Sequence, residues 1–243
     1  NVFPVPDGDT GTNMNLTMTS GSKEVLNSTN DNIYEVARAF SKGLLMGARG
    51  NSGVILSQFF KGLALGLVNY ETISIQDFAN AMKNGVSQAY AVVKKPTEGT
   101  ILTVMREASE KTLENNYDSF EEYFKSYLTF ANKSLENTPQ LLPILKKAGV
   151  VDSGGAGFVR VIEGMALALD GKILEVVKTS ELTTKNVAVG TFNADSILEF
   201  GYCTEFILQL QNSKVDTKNF DLKLITNFLE EIGDSIVAFK DDD

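Results

Sequence analysis

From residue 31 to about residue 169, apolar residues recur at helical spacing in one segment after another, and no stretch alternates as a half-buried strand does. Asp31 is placed to cap a helix with Ile33, Val36, Ala37, Phe40 and Leu44 on one face. That helix stops at Gly47-Ala-Arg-Gly-Asn-Ser-Gly53, and a second runs through Val54, Ile55, Phe59 and Leu63. Ser74 and Asp77 make a capping box for a third, striped with Phe78, Met82, Val86 and Tyr90. Lys95-Pro-Thr-Glu-Gly99 breaks it, and Thr100 opens a fourth through Ile101, Val104 and Ala108. A fifth starts near Ser119 and carries Phe120, Phe124, Tyr127, Ala131 and Leu135, an aromatic stripe that reads as core packing. Thr138-Pro139 predicts the cap and first residue of a short helix ending at Gly149. Asp152-Ser-Gly-Gly-Ala-Gly157 leads into a last helix that runs to about Leu169. Short connections favour antiparallel neighbours, so residues 1–172 are expected to form one all-α domain.

The pattern changes after Asp170-Gly171. Lys178 to Thr191 is polar and rich in Thr and Lys, so residues 173–192 are expected to be a linker. Phe200 to Leu210 reads as a strand, Asp221 to Ile232 as a helix ended by Gly233, and Ile236 to Phe239 as a second strand. Residues 193–243 are therefore expected to be part of a small α/β (α+β) domain, cut short. The chain opens directly on a motif and closes on Asp241-Asp242-Asp243, which reads as a fragment.

The opening motif, Asp7-Gly-Asp-Thr-Gly-Thr-Asn13, crowds hard oxygen donors onto a tight loop. Such donors suit Mg2+, which takes one or two protein carboxylates plus phosphate oxygens and water. Asp, Gly and Pro also make ordinary surface turns, and the motif alone does not decide between the two. Two further glycine loops, Gly47 to Gly53 and Gly154 to Gly157, also stand immediately before helices. Free backbone N–H groups and the helix dipole make such loops phosphate sites, although each taken singly could be a tight connection. Taken together they point to a nucleoside triphosphate site, with Asp7 and Asp9 on Mg2+ and Gly50, Asn51, Ser52 and Gly53 around the phosphates. Arg49 is one of four arginines and adjoins that loop. It reads equally as a stabiliser of the transferring phosphoryl group or as a solvated cation.

Histidine is absent, so the chain alone builds no His base, Ser–His pair or His-rich metal site. A carboxylate acceptor is already ionised at neutral pH and needs positioning and charge neutralisation rather than a base. The net charge of -9 argues against a nucleic-acid partner, no apolar run is long enough to span a membrane, and one cysteine fits a reducing, cytoplasmic setting. That cysteine, Cys203, reads from the residues alone as a buried thiol.

Four stretches occur in order: 1 to 14 (NVFPVPDGDTGTNM), 43 to 58 (GLLMGARGNSGVILSQ), 96 to 104 (PTEGTILTV) and 150 to 157 (VVDSGGAG). With them the chain resembles the A-type subunit of fatty acid kinases, in the dihydroxyacetone kinase L-domain family. Gly-Tyr-Cys-Thr-Glu at 201 to 205 resembles the start of that family's middle domain. The resemblance implies an all-α antiparallel helical barrel of about eight helices, one preceding Asn1, with ATP and two Mg2+ ions at one open end. It implies phosphoryl transfer from ATP to a fatty acid held by a separate fatty-acid-binding protein, giving an acyl phosphate for phospholipid synthesis. By matching positions, Asp7 and Asp9 hold the metals. Thr10, Thr12, Asn13, Asn51, Ser52, Gly53 and Thr100 contact the nucleotide, and Asp152, Gly154 and Gly155 lie near the base and ribose. Dihydroxyacetone kinase L subunits have His where Thr10 stands and a third Asp near the place of Asn1. Zn2+ at Cys203 would need a histidine strand that this sequence lacks. A homodimer is expected. Dihydroxyacetone held on a separate protein is the alternative acceptor, and a non-catalytic ATP-sensing module is the alternative class.

Overall fold

The computed structural model describes residues 2–4, 8–27, 30–172 and 204–241. Among these lie nine helices and no strand: α1 (Thr10–Leu26), α2 (Ile33–Met46), α3 (Gly50–Gly66), α4 (Ile75–Ala91), α5 (Ile101–Leu113), α6 (Phe120–Leu141), α7 (Pro143–Ala148), α8 (Ser153–Leu169) and α9 (Lys223–Ile232). Consecutive helices pack against one another from α1 to α6, and α8 closes the ring by touching α5, α6 and α1. The first eight helices thus form the all-α barrel. None of the helices among the described residues is long and apolar enough to cross a membrane.

The core is a run of aromatic edges that stitches the ring together. Phe40 of α2 meets Phe60 of α3 at 5.0 Å, Phe59 meets Phe158 of α8 at 5.1 Å, and Tyr123 of α6 meets Phe78 of α4 at 5.7 Å. Phe124 and Tyr127 are buried in this core, and Phe120 packs against its edge. Edge-to-face pairs add about 0.5–1.5 kcal/mol each beyond the area they bury.

The capping box of α4 forms as expected, with Ser74 and Asp77 serving each other's backbone N–H groups. Three expectations need correction, and α1 lies where the apolar pattern of the sequence predicts no helix. Asn32, not Asp31, caps α2, accepting from the N–H groups of Tyr34 and Glu35 at 3.0 and 3.2 Å. Helix α1 has no large apolar stripe, and its buried face is Thr10, Met14, Thr17 and Gly21. Pro139 lies inside the last turn of α6 rather than at a helix start. It offers no N–H to the Leu135 carbonyl, and the Thr138 hydroxyl donates to that oxygen instead at 2.7 Å. The short helix begins at Pro143 and ends on left-handed Gly149. Finally, residues 204–210 are not a strand, and the 236–239 stretch makes only one antiparallel bridge, Val237 to Val93. That bridge seats the second segment on the end of α4. Residues 173–203, which include the expected linker, lie outside the described residues.

α3 and α4 approach closely because small residues line their contact. A methyl group placed on Gly62 would lie 2.5 Å from the Asn84 carbonyl oxygen, whereas one on Gly164 would meet nothing within 4 Å. Gly62→Ala should therefore destabilise the domain by about 1–3 kcal/mol, overriding its helix propensity. Gly164→Ala should stabilise it by up to about 1 kcal/mol. Urea unfolding of the two variants checks the opposite signs.

Candidate functional site

Alternation of direction around the ring brings the N-termini of α1, α3 and α5 to one end. Short α7 returns the chain so that α8 starts there too. Side chains tie these four starts together. Ser153 Oγ lies 3.2 Å from Thr10 Oγ1, joining α8 to α1. Thr17 Oγ1 donates to the Asn13 carbonyl at 2.8 Å and accepts from the Arg49 N–H at 3.2 Å, which fixes the entry of α3 against α1. Every helix start leaves backbone N–H groups without a partner in the helix, so this end concentrates donors and positive helix dipoles.

The expected site residues fall into three groups. Asp9 stands at the N-cap position of α1, exposed, with its carboxylate accepting from Asn13 Nδ2 at 2.8 Å. Thr12 is exposed beside it and Asn13 is half-buried. Thr10 is buried against Ser153, a placement a hydroxyl tolerates at a helix start. Asp7, Asn1 and Cys203 lie outside the described residues, and among those described no three metal-ligating side chains cluster.

The second group is the α3 loop. Gly50 takes a left-handed φ of 59°, and a side chain there would collide with Asn13 Nδ2 at 2.6 Å. Gly53 is held equally close to Thr17 Oγ1, at 2.5 Å from a notional methyl group. The two glycines let α3 begin against α1. Asn51 and Ser52 occupy its first turn, half-buried. The Arg49 guanidinium is exposed and donates back to the Ala48 carbonyl at 3.0 Å. Glu205 reaches this loop from the second segment and accepts the Gly50 N–H.

The third group turns inward. Thr100 precedes α5, but its hydroxyl donates to the Thr97 carbonyl at 2.8 Å and caps nothing. The cap comes from Asp152, which is 5% exposed. Its carboxylate accepts from Gly155 N–H at 2.7 Å and also from the N–H groups of Ile101 and Gly154. One carboxylate thus caps both α5 and α8. Its own N–H donates to Thr138 Oγ1 at 3.0 Å, the hydroxyl that already serves Leu135. Asp152 therefore acts on the site by holding two helix starts together, while Gly154 and Gly155 let those starts touch. A methyl group on Gly154 would lie 3.1 Å from Ile101 Cβ.

Glu98 was not singled out from the sequence. Its carboxylate accepts from Thr103 at 2.7 Å, from Arg106 at 2.8 Å and from Tyr90 at 3.1 Å. Burial opposes its ionisation, but the bonds from Thr103 and Arg106 outweigh that and hold the carboxyl below its ordinary range. This knot fixes the 96–100 loop beside Thr100. The sequence holds one signal: Glu98 before the glycine turn and Arg106 within α5 are oppositely charged residues eight apart.

Burial pushes the Asp152 carboxyl up to about 6, against the opposing pull of the Gly155, Ile101 and Gly154 N–H groups. The folded chain then keeps a proton at Asp152 that the unfolded chain releases near 3.8. This contribution to stability is complete below that lower value and is lost as pH rises through about 6. Asp152→Asn carries no such dependence. Its stability relative to the parent chain should move in the variant's favour by on the order of 3 kcal/mol from pH 4 to pH 7, as read by urea unfolding.

Residues 4–167 match the family model of the DAK2 domain, and residues 199–243 match that of the middle domain of fatty acid kinase A-type subunits and their like. The chain is 46% identical over 250 residues to an uncharacterized protein of Staphylococcus saprophyticus. It is 45% identical over 250 residues to one of Staphylococcus aureus strain USA300, and 44% over 251 to one of Staphylococcus epidermidis. Each alignment takes in 100% of this chain but 45% of the relative, so the chain spans less than half the length of these curated relatives. With the barrel matched almost from end to end, the chain belongs to the DAK2 domain family, in the form that carries a fatty acid kinase A-type middle domain after the barrel.

Proposed function

We propose that this chain is the nucleotide-binding part of a fatty acid kinase. In this reading ATP and Mg2+ are held at the open end of the barrel, and the acceptor is the carboxylate of a fatty acid presented by a separate fatty-acid-binding protein. The product is an acyl phosphate that supplies phospholipid synthesis. The observation that carries the reading is the convergence of four helix N-termini, those of α1, α3, α5 and α8, on one end of a closed ring. An anionic ligand is the group such an end favours.

The residues present fit a magnesium–nucleotide ligand by their chemistry. Asp9, with Asp7 beside it in sequence, supplies hard oxygen donors, and the Asn13 amide orients Asp9. Gly50, Asn51 and Ser52 stand at the first backbone N–H groups of α3, and Gly50 and Gly53 let that helix start pack against Asn13 and Thr17 of α1. Thr10, Thr12 and Thr100 line the neighbouring helix starts, and Arg49 is positioned at the rim to balance phosphate charge. When bound, Mg2+ and ATP supply the phosphoryl group and neutralise charge on its oxygens. The chain's own part is to bind, orient and offset charge. It brings no histidine to remove a proton, which suits an acceptor that is ionised before it arrives. The match to a fatty acid kinase A-type middle domain favours a fatty acid over dihydroxyacetone as that acceptor.

The test has two parts. The full-length protein with ATP, Mg2+ and a fatty-acid-loaded binding protein should consume ATP, and no turnover with any acyl-loaded partner would sink the reading. Asp9→Ala should lower that turnover by about a hundredfold or more, in line with removal of a charge-stabilising group, while circular dichroism stays that of a helical barrel.

A further inference from the structure

The donor at the start of α3 already has an anionic occupant. Glu205 comes from the segment after the barrel, 155 residues away in sequence, and its carboxylate accepts the Gly50 N–H. A second group from the same segment lies on the next residue, where the Ser235 carbonyl accepts from Asn51 Nδ2 at 3.2 Å. Three further contacts seat the segment along the same flank. Lys61, farther along α3, pairs with Asp241 at 2.7 Å. Lys94 and Lys95 each lie 3.8 Å from a Glu230 oxygen. The Val93–Val237 bridge is closed by the Lys94 N–H to Ile236 and the Ala238 N–H to Val92. The segment is therefore anchored along α3 and just past the end of α4, and it reaches the α3 loop with Glu205.

We propose that Glu205 is a latch on the barrel's nucleotide site: its carboxylate and a nucleotide phosphate compete for the N-terminus of α3, so that nucleotide entry undocks the 204–241 segment from the Gly50 loop. The proposal rests on the nucleotide-binding reading above. Its physical basis is that two anions cannot share one backbone N–H, and each repels the other at that distance. A carboxylate on a helix N-terminus imitates a phosphate, because both satisfy the same orphan donor and the same dipole. Ser235 and Asn51 extend the contest to the following residue, since Asn51 cannot orient its amide to a ligand while it serves the Ser235 carbonyl. The pairs at Asp241 and Glu230 do not touch the loop, so the segment stays tethered when Glu205 is displaced. Occupancy of the site is thereby coupled to the posture of the second segment.

The test uses the chain of residues 1–243 and a non-hydrolysable ATP analogue with Mg2+, titrated by calorimetry. Glu205→Gln and Glu205→Ala should bind the analogue roughly tenfold more tightly than the parent, the worth of one charge-assisted hydrogen bond. Glu231→Gln, an exposed carboxylate on α9, should bind as the parent does. In the parent chain the analogue should also speed tryptic cleavage at Lys214 and Lys218, and Glu205→Ala should show that faster cleavage without the analogue. Equal affinity in all proteins, or weaker binding in the Glu205 variants, overturns the latch while leaving the nucleotide site standing. Loss of analogue binding in every protein overturns the parent reading and the latch with it. Faster cleavage of Glu205→Ala in that case would still identify the docking contact itself.

Discussion

One buried carboxylate decides how the open end of the barrel is built. Asp152 lies among apolar side chains at the point where α5, α6 and α8 meet, and burying a charge there is costly unless it is fully hydrogen-bonded. Three backbone N–H groups meet that requirement, and they belong to the starts of two helices. Neither α5 nor α8 caps itself by another side chain, so both starts depend on the same group. The Thr138 hydroxyl adds α6 to the knot, because it fills the gap left by Pro139 and receives the Asp152 N–H. Three helices are thus registered to within a hydrogen bond at the end where the donors gather. Displacing any one of them moves the others.

Much of the barrel is written in its apolar spacing, and the exceptions have physical causes. Helices α2 to α6 bury Leu44, Phe59, Phe78, Val104 and Tyr127, large residues whose period is plain. Helix α1 carries no such stripe. Its inner face carries one large apolar residue, Met14, beside Thr10, Thr17 and Gly21, and at Gly21 α2 lies too close for a side chain: a methyl group there would sit 2.7 Å from the Phe40 ring. Close packing and visible periodicity are here mutually exclusive. Thr138-Pro139 misleads for a related reason. A proline after threonine is a sound sign of a helix start, but a hydroxyl one residue earlier can replace the lost N–H and let the last turn continue. Asp31 and Asn32 both suit an N-cap, and only the position of the first turn selects the asparagine.

The loops at the open end were legible in the sequence, and their side-chain directions were not. Glycine before a helix marks where the backbone makes a close approach, and Gly50 and Gly53 do so against Asn13 and Thr17 of α1. Nothing in a motif says whether an aspartate beside such a glycine faces outward or inward. Asp9 and Asp152 stand in comparable positions ahead of their helices, yet Asp9 is exposed and bonded to its own helix, while Asp152 is buried between two. The difference arises from tertiary contact: α5 starts against α8 and buries Asp152 between them, whereas Asp9 is exposed at the start of α1. Glu98 has no motif of its own in the sequence, because its partners, Tyr90, Thr103 and Arg106, come together only when α4 and α5 fold back on each other.

In the proposed reading, a site that works by positioning and charge without histidine has few titrating groups through which to be regulated, so access to its donors becomes the natural point of control. Donors at a helix start are strong, fixed in direction and few, and any anion that reaches them competes with the ligand. The second segment lies within reach of the α3 loop and carries both a carboxylate and a carbonyl to it. Its anchoring pairs at Lys61 and at Lys94 and Lys95 do not involve the Gly50 loop and are only partly exposed at the acids, so they hold the segment near the site whether or not Glu205 is engaged. A tether with a local high concentration of carboxylate needs only a weak contact to compete. The barrel therefore supplies a rigid cluster of helix starts, and the segment behind it supplies an anion able to contest one of them.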